Sequence, residues 1–350
     1  MSRKKRNIGL SIMSVLYAGL WLVTFLGAMA PWVKIEALPI LQLLPTTLTF
    51  LLPFHLLFFL YFLRRSWKGT LGSFVAICLC IWAASKDVRF GDRPDPSSTE
   101  IRVISFNVGT FNYKAEKINE VAELLKRENP DVITLQEFRN HHLEERVFAL
   151  EYLADALEMP YFQFVHLPVH IHGAAIYSRY PIVDLDTLFM PPKEINNGIL
   201  ATLETPMGLI GIGNMHLSSF QVAQTIDKPT TWLGKSLAMY RRSVEVVQLQ
   251  AEKVDLVMDK TQSYKNPMIL TGDLNASPHT RIVQPFFKGF QDSFDAAGKG
   301  MGWTFPVIGP LGLRIDYQFA SPELTVVSHD VLRSRVSDHY PILATYRLEP

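Results

Sequence analysis

An α/β domain behind an apolar, membrane-type N-terminal region is the fold class this sequence predicts, on three observations. The chain opens with three long uncharged stretches, at residues 7–33, 37–63 and 69–85. From residue 100 onward, short apolar runs alternate with amphipathic helical patterns. Several of those runs are apolar on both faces, so their sheets are covered by helices rather than by water.

The first two uncharged stretches exceed the ~20 residues that cross a hydrocarbon core. The third is marginal, with a buried or re-entrant segment as its alternative. Arg3-Lys4-Lys5-Arg6, ahead of an apolar run ending Ala28-Met29-Ala30, has the outline of a cleavable signal peptide. The run is too long for a signal core, Pro31 disfavours cleavage and two more apolar stretches follow, so a membrane helix is expected. Pro39, Pro45 and Pro53 should kink the second stretch, which a membrane helix tolerates. The N-terminal basic cluster and Arg64, Arg65 and Lys68 in the second loop outweigh the first loop, where Lys34 is offset by Glu36. The positive-inside rule then places the N-terminus in the cytoplasm and, after three spans, the C-terminal domain outside. The expected layout is a multi-pass protein of the cell (inner) membrane: a transmembrane region over residues 1–90, a Pro- and Ser-containing linker over 91–99 and one large domain over 100–350.

Charge follows the same division. Residues 1–99 hold eleven Lys and Arg against four Asp and Glu, a balance of +7, whereas residues 100–350 hold 23 against 29, a balance of −6. An acidic domain is a poor partner for a long polyanion, which usually meets a basic stripe. Both cysteines, Cys78 and Cys80, lie in the third apolar stretch, so the large domain has no thiol for a disulfide.

Within that domain, strands are predicted at 101–108, 131–137, 173–179, 209–217, 268–273, 315–321, 324–328 and 340–348. Helices are predicted at 113–129, with Ile118, Val121, Ala122 and Leu125 on one face, and at about 235–260. Polar residues recur where these strands end. Leu-Thr-Gly-Asp-Leu-Asn at 270–275 sets Asp273 and Asn275 at the mouth of one strand, and Ser337-Asp338-His339 precedes the last. Asn107, Glu137, His216 and Asp316 hold comparable positions. Carboxylates, an amide and an imidazole converging on one cleft are what metal-assisted hydrolysis of a phosphate ester needs.

Singly, each residue has a plainer reading. Asp273 or Asn275 is a turn former, Asn107 a cap, Asp316 a surface partner of Arg314 and His339 a packed core ring. His166, His170 and His172 have no nearby acid or Cys in sequence and do not read as a metal site. His141-His142 reads as a solvated loop or helix start, and Arg241-Arg242 as the polar face of its helix.

In this order, the residues make the domain similar to the endonuclease/exonuclease/phosphatase superfamily, which includes pancreatic deoxyribonuclease, bacterial sphingomyelinases and inositol-polyphosphate 5-phosphatases. The resemblance spans about residues 100–348 and takes in residues 173–182 and Trp303-Thr304-Phe305. It implies a four-layer α/β sandwich, two β-sheets face to face with helices outside, and a divalent-cation-dependent phosphoesterase. Glu137, Asn107 and Asp338 are then ligands of Mg²⁺ (or Mn²⁺), a hard ion that prefers oxygen. Asp273 orients or deprotonates the attacking water, and Asn275 binds phosphoryl oxygens. His339, held by Asp316, serves as acid/base or phosphate clamp. His216 matches the second imidazole of the deoxyribonuclease and sphingomyelinase branch.

The function expected is a membrane-tethered phosphoesterase using in-line water attack on a lipid head group or small phosphoester. Its partners are that substrate and membrane lipids, and no protein partner is inferable. A metal-dependent nuclease is the runner-up, disfavoured by the acidic domain. A catalytically idle membrane-anchored binding protein is the third reading, disfavoured by the intact set of polar residues.

Overall fold

The structure, a computed structural model, describes residues 3–90, 100–113, 117–144, 147–166, 172–190, 196–220, 231–309 and 311–348. The predicted linker at 91–99 and His170 lie outside the described residues. The chain forms two compact units, one of Met1–Asp87 with Ser277–Gln284, the other of Val88–Ala276 with Pro285–Pro350.

In the first unit, helices α1 (Arg3–Met29), α2 (Leu48–Phe62) and α3 (Trp67–Ala84) carry three stretches long and apolar enough to cross a membrane: Ile12–Trp32, Pro39–Phe62 and Trp67–Ala84. Large apolar side chains such as Val15, Leu57, Leu60 and Trp67 face outwards. Apolar residues all round a helix are at home in lipid, not in water. Pro39 and Pro45 each open a short 3₁₀ turn before α2, and Pro53 lies inside it. Lacking N–H groups, these prolines cannot join the helical ladder as donors. Ser66 caps α3 by accepting from the Gly69 N–H at 3.2 Å.

Residues 277–284 complete this unit. The His279 Nε2–H donates to the Ala83 carbonyl at 2.9 Å, and its ring packs on Trp82. The backbone N–H of Arg281 donates to Oε1 of buried Gln42 at 2.7 Å.

Two six-stranded mixed sheets frame the second unit. In chain order their strands are β1 (Ile101–Asn107), β2 (Val132–Arg139), β3 (Tyr161–His166), β4 (His172–Ser178), β5 (Ile182–Phe189) and β6 (Gly198–Thr205). The remainder are β7 (Gly208–His216), β8 (Met268–Asp273), β9 (Gln291–Asp292), β10 (Asp316–Ala320), β11 (Leu324–Val331) and β12 (Ile342–Leu348). The first sheet runs β11-β12-β1-β2-β4-β3 and the second β9-β10-β8-β7-β6-β5. Each holds one parallel pair, β1 with β2 and β7 with β8, among antiparallel neighbours. Asn107 stands opposite Gln136 in one pair, and His216 opposite Asp273 in the other. A parallel pair brings two carboxyl ends together, so the segments leaving them share one edge of the sheet.

Side chains alternate between faces along each strand. Ile101, Val103, Val132 and Ile176 of the first sheet meet Ile199, Ile210, Ile212 and Ile269 of the second in an apolar layer. Nearer the carboxyl ends this layer turns polar. Thr134 and Thr271 share a 2.7 Å hydrogen bond, and Gln136 Nε2 donates to Asn214 Oδ1 at 2.8 Å. Buried polar groups paired in this way fix the register of one sheet on the other.

The outer face of the first sheet, with Ile104, Phe106, Ile133 and Leu135, packs under α4 (Lys117–Glu128) and α5 (Ala149–Ala156). Helix α6 (Trp232–Ser263) contacts β5 of the second sheet and buries Val246, Val247, Val254 and Val257. This is the predicted α/β arrangement of two sheets flanked by helices.

Candidate active site

The sequence-predicted side chains meet at the carboxyl ends of the two parallel pairs. Asn107 ends β1, Glu137 lies near the end of β2, His216 ends β7 and Asp273 ends β8. Asp316 is the first residue of β10, and Asp338 and His339 precede β12. The two sheets therefore contribute to one cluster.

Local backbone geometry aims them. In the β2–β4 ladder Leu135 faces Ala175, and the next pair is Phe138 with Gly173, so Gln136 and Glu137 together oppose one residue. At this bulge Glu137 has φ +51°, a left-handed conformation costly for a non-glycine residue and typical of functional sites. Gly272, at φ +140°, can only be glycine, because a Cβ there would lie 1.9 Å from the Met215 carbonyl oxygen. Asn275, at φ +48°, is of a type that tolerates this region, and its N–H donates to Asp273 Oδ1 at 2.8 Å. Its side-chain NH₂ donates to the Leu217 carbonyl at 3.1 Å, tying the segment after β8 to the segment after β7. Gly109 makes room for Asp338, whose Oδ1 would lie 2.9 Å from a Cβ at that position.

Asp273 Oδ2 is the hub. The Asn107 NH₂ donates to it at 3.0 Å, His339 Nε2 lies 3.7 Å away and His216 Nε2 3.8 Å away. Glu137 Oε1 is 3.3 Å from Asn107 Nδ2 and 3.5 Å from His216 Nε2. Asn107 Oδ1 accepts from the Gly109 N–H at 2.9 Å, so this amide turns its nitrogen towards both carboxylates. The separations of 3.7 and 3.8 Å are too long for direct hydrogen bonds and suit a bridging oxygen.

Charges in the cluster are strongly perturbed. Burial, then the neighbouring Asp316, pushes the Asp273 carboxyl up to about 6. Burial also raises Glu137, against the opposing hydrogen bond from Asn107. For His339 burial favours the neutral ring, but Asp316 and Asp273 together outweigh it and carry the imidazole up to about 10. Its Nδ1–H donates to Asp316, 2.9 Å from Oδ2 and 3.2 Å from Oδ1. His216 goes the other way, lowered by burial that Asp273 offsets only in part.

Asn196 settles which His216 nitrogen carries the proton. Its NH₂ donates to the Leu217 carbonyl at 3.0 Å and lies 3.1 Å from His216 Nδ1, so Nδ1 is the acceptor and Nε2 holds the hydrogen. That Nε2 is buried and has no hydrogen-bond partner among the described residues. It points at the space bounded by Glu137 and Asp273.

Among the described residues, one group of three ligand atoms could hold a metal ion. Asp273, Asp316 and His339 present atoms that all lie within 4.8 Å of one another. Glu137 has the Asp338 charge close enough to raise its carboxyl further. The group of three has a fixed internal use, since Asp316 is already bonded to a charged His339.

A model of the Endonuclease/Exonuclease/phosphatase family matches residues 104–339, more than half of the chain, and its last matched residue is His339. The chain belongs to the endonuclease/exonuclease/phosphatase family. Family members are phosphoester hydrolases and generally use a divalent metal. Solved structures agree in fold. A family protein from Bacteroides thetaiotaomicron is 18% identical over 73% of this chain and 100% of its own, with a TM-score of 0.54. The mannosyl-6-phosphatase Bt3783 of Bacteroides thetaiotaomicron VPI-5482 is 19% identical over 71% and 100%, with a TM-score of 0.52. A humanized D. rerio TDP2 is 17% identical over 71% and 100%, with a TM-score of 0.53. No curated protein sequence matches the chain.

Two supporting residues, Asn196 and Gln250, escape the sequence reading, and a third, Thr304, is named there without a role. Asn196 follows no recognisable pattern. Thr304 receives the Ile315 and Asp316 N–H groups at 3.3 and 3.2 Å and so fixes the start of β10. Gln250 donates to the Ser218 carbonyl at 2.7 Å and lies 3.3 Å from the Asn275 carbonyl. Its signal is a polar residue on the valine-rich face of α6.

Proposed function

We propose that this protein is a membrane-tethered, divalent-metal-dependent phosphoester hydrolase that cleaves a phosphodiester or phosphomonoester by in-line attack of water. The observation that carries this reading is the ring of donors around Asp273 Oδ2: the Asn107 amide, a charged His339 and a neutral His216. Mg²⁺ or Mn²⁺ is assigned to Glu137 and Asp338, with Asn107 as an auxiliary. The fit rests on chemistry: two hard carboxylates near each other, one of them raised by burial, favour a cation in common. Asn107 would join through its amide oxygen, which keeps one lone pair beside the one that accepts from the Gly109 N–H. When bound, the ion polarises the phosphoryl oxygen and stabilises the leaving oxygen.

The chain's own groups supply the rest. Asp273, held by the Asn275 N–H, accepts hydrogen bonding from the attacking water and can take its proton, because its pKa of about 6 leaves it ionised at neutral pH. His339 donates through Nε2 to a phosphoryl oxygen, while Asp316 keeps the ring charged and oriented. His216 donates from Nε2 to a second oxygen. Asn275 has one amide proton engaged with Leu217 and one left for the phosphoryl group. Fixed donors aimed where charge builds up are the main source of phosphoryl-transfer catalysis.

The substrate class is a lipid head group or small phosphoester. Anchoring raises the effective concentration of membrane-borne substrates, and the −6 balance of residues 100–350 disfavours polynucleotide. The N-terminus is assigned to the cytoplasm and the catalytic unit to the outside. Alkaline phosphatase fused after Asp95 should then be active and fused after Lys68 inactive; the reverse pattern would overturn this orientation.

The test of function uses the full chain in detergent or vesicles, with a chromogenic phosphodiester, phospholipids and duplex DNA as substrates. Chelation should abolish hydrolysis, Mg²⁺ or Mn²⁺ should restore it and Glu137→Ala should remove most of it. Full activity in excess chelator overturns the metal assignment. A kcat/KM on duplex DNA above that on every phospholipid and small phosphoester would make the protein a nuclease.

A further inference from the structure

Helix α6 is 32 residues long, about 48 Å at 1.5 Å per residue, and its fully buried side chains all lie in its later part. Its buried side chains begin at Val246, and none of residues 232–245 is buried. Trp232 is 81% exposed and Leu233 71%, and Leu237, Met239 and Tyr240 are each more than 40% exposed. At 100° per residue these five fall, with Val244, in an arc of roughly 160°. Lys235 and Arg242 border that arc on one side and Arg241 on the other. Residues 228–244 contain no Asp or Glu. Arg242 also reaches Glu245 at 3.0 Å, which leaves Lys235 and Arg241 as the outward cations.

Single exposed apolar residues are ordinary, but an arc of six apolar residues that includes Trp232 and Tyr240, interrupted only by Ser236 and Ser243, marks a contact surface. Of the surfaces such a face could meet, an anionic bilayer matches each component. Trp and Tyr favour the head-group level, leucines reach the upper acyl region and a basic border pairs with anionic lipid. The same chain carries three helices apolar enough to cross a membrane, which keeps a bilayer within reach.

We propose that the exposed face of residues 232–244 lies in the head-group layer as an interfacial helix, docking the catalytic unit on anionic lipid. Farther along α6, Gln250 holds the carbonyl of Ser218 and approaches that of Asn275. One rigid helix thus joins the lipid contact to the segments that carry His216 and Asp273. The contact does not depend on the hydrolase assignment.

The experiment uses the full chain with Cys78→Ser and Cys80→Ser, a single cysteine at Leu237 and an NBD label. The protein is reconstituted in vesicles of phosphatidylcholine and phosphatidylglycerol. A label at exposed Gln248, past the apolar face, serves as the control. The Leu237 label should emit at shorter wavelength, be protected from aqueous iodide and be quenched by doxyl-lipid several-fold more than the control. Removing phosphatidylglycerol should weaken the difference. Equal iodide access at the two positions overturns the proposal. So does protection from iodide without doxyl quenching, because protein would then cover the face. Resistance to alkaline extraction reads the tether separately, and hydrolysis enters neither measurement.

Discussion

His339 and His216 are both buried and both end within 3.8 Å of Asp273 Oδ2, yet they are driven in opposite directions. The difference lies on the far side of each ring. His339 Nδ1 rests on a carboxylate, Asp316, at 2.9 Å, and His216 Nδ1 on an amide, Asn196, at 3.1 Å. Burial disfavours charge on either imidazole, and only an ionised partner reverses that. The group behind the ring therefore decides whether it acts as a charged clamp or a neutral donor. The effect on stability differs in sign as well. The contribution of His339 is fully present below its ordinary value of 6.5 and is lost as pH rises towards about 10. The contribution of His216, lowered instead, is present above 6.5 and lost as pH falls.

The largest effect expected from breaking this comparison is at the charged ring. His339→Gln should cut kcat by ~10²–10⁴-fold with little change in KM, the range for losing an acid/base group. Steady-state kinetics with a chromogenic phosphodiester reads it, and a loss confined to KM would remove His339 from the chemistry. Next comes the carboxylate behind it. Asp316→Asn should reproduce part of the kcat loss and bring the imidazole down from about 10 towards 6.5, followed by ¹⁵N NMR of the metal-free protein. An unmoved titration would mean that Asp316 does not set the charge. The smallest effect is expected from making the two pockets alike. Asn196→Asp should raise the His216 titration while lowering kcat by roughly tenfold or less, the scale of one hydrogen bond at ~1 kcal/mol. If His216 still titrates below 6.5 in this variant, the group behind the ring is not what separates the two.

Much of this arrangement is legible in the sequence, because strand ends announce themselves. An apolar run broken by Gly-Asp-x-Asn, or preceded by Ser-Asp-His, marks where a sheet opens to a cleft. The strands missed are instructive. β3 and β5 are the edge strands of their sheets, and β5 exposes Asp184 and Asp186, so neither carries a buried apolar run. β6 is almost wholly buried but rich in Leu and Ala, and its ladders with β5 and β7 make it a strand. The bulge that turns Glu137 into the cluster has no sequence mark, since it arises from the pairing of β2 with β4. Asn196 is equally silent, and Gln250 shows only as a polar residue on an apolar helix face, because what matters is the carbonyl or ring nitrogen each meets across the fold.

The segment Ser277–Gln284 has a consequence for how the protein can be taken apart. It starts two residues after Asn275 but belongs with the apolar helices, where Gln42, Trp82 and Ala83 hold it. The polypeptide is interlaced, not strung as an anchor followed by a detachable head. A protease cutting near residue 95 would release a fragment still carrying His279 and Arg281, shorn of the groups they bond. The strand that delivers Asp273 would then run straight into a stretch without its seat. Cleavage between the apolar helices and the second unit is for this chain also a way to disturb the segment that follows Asp273.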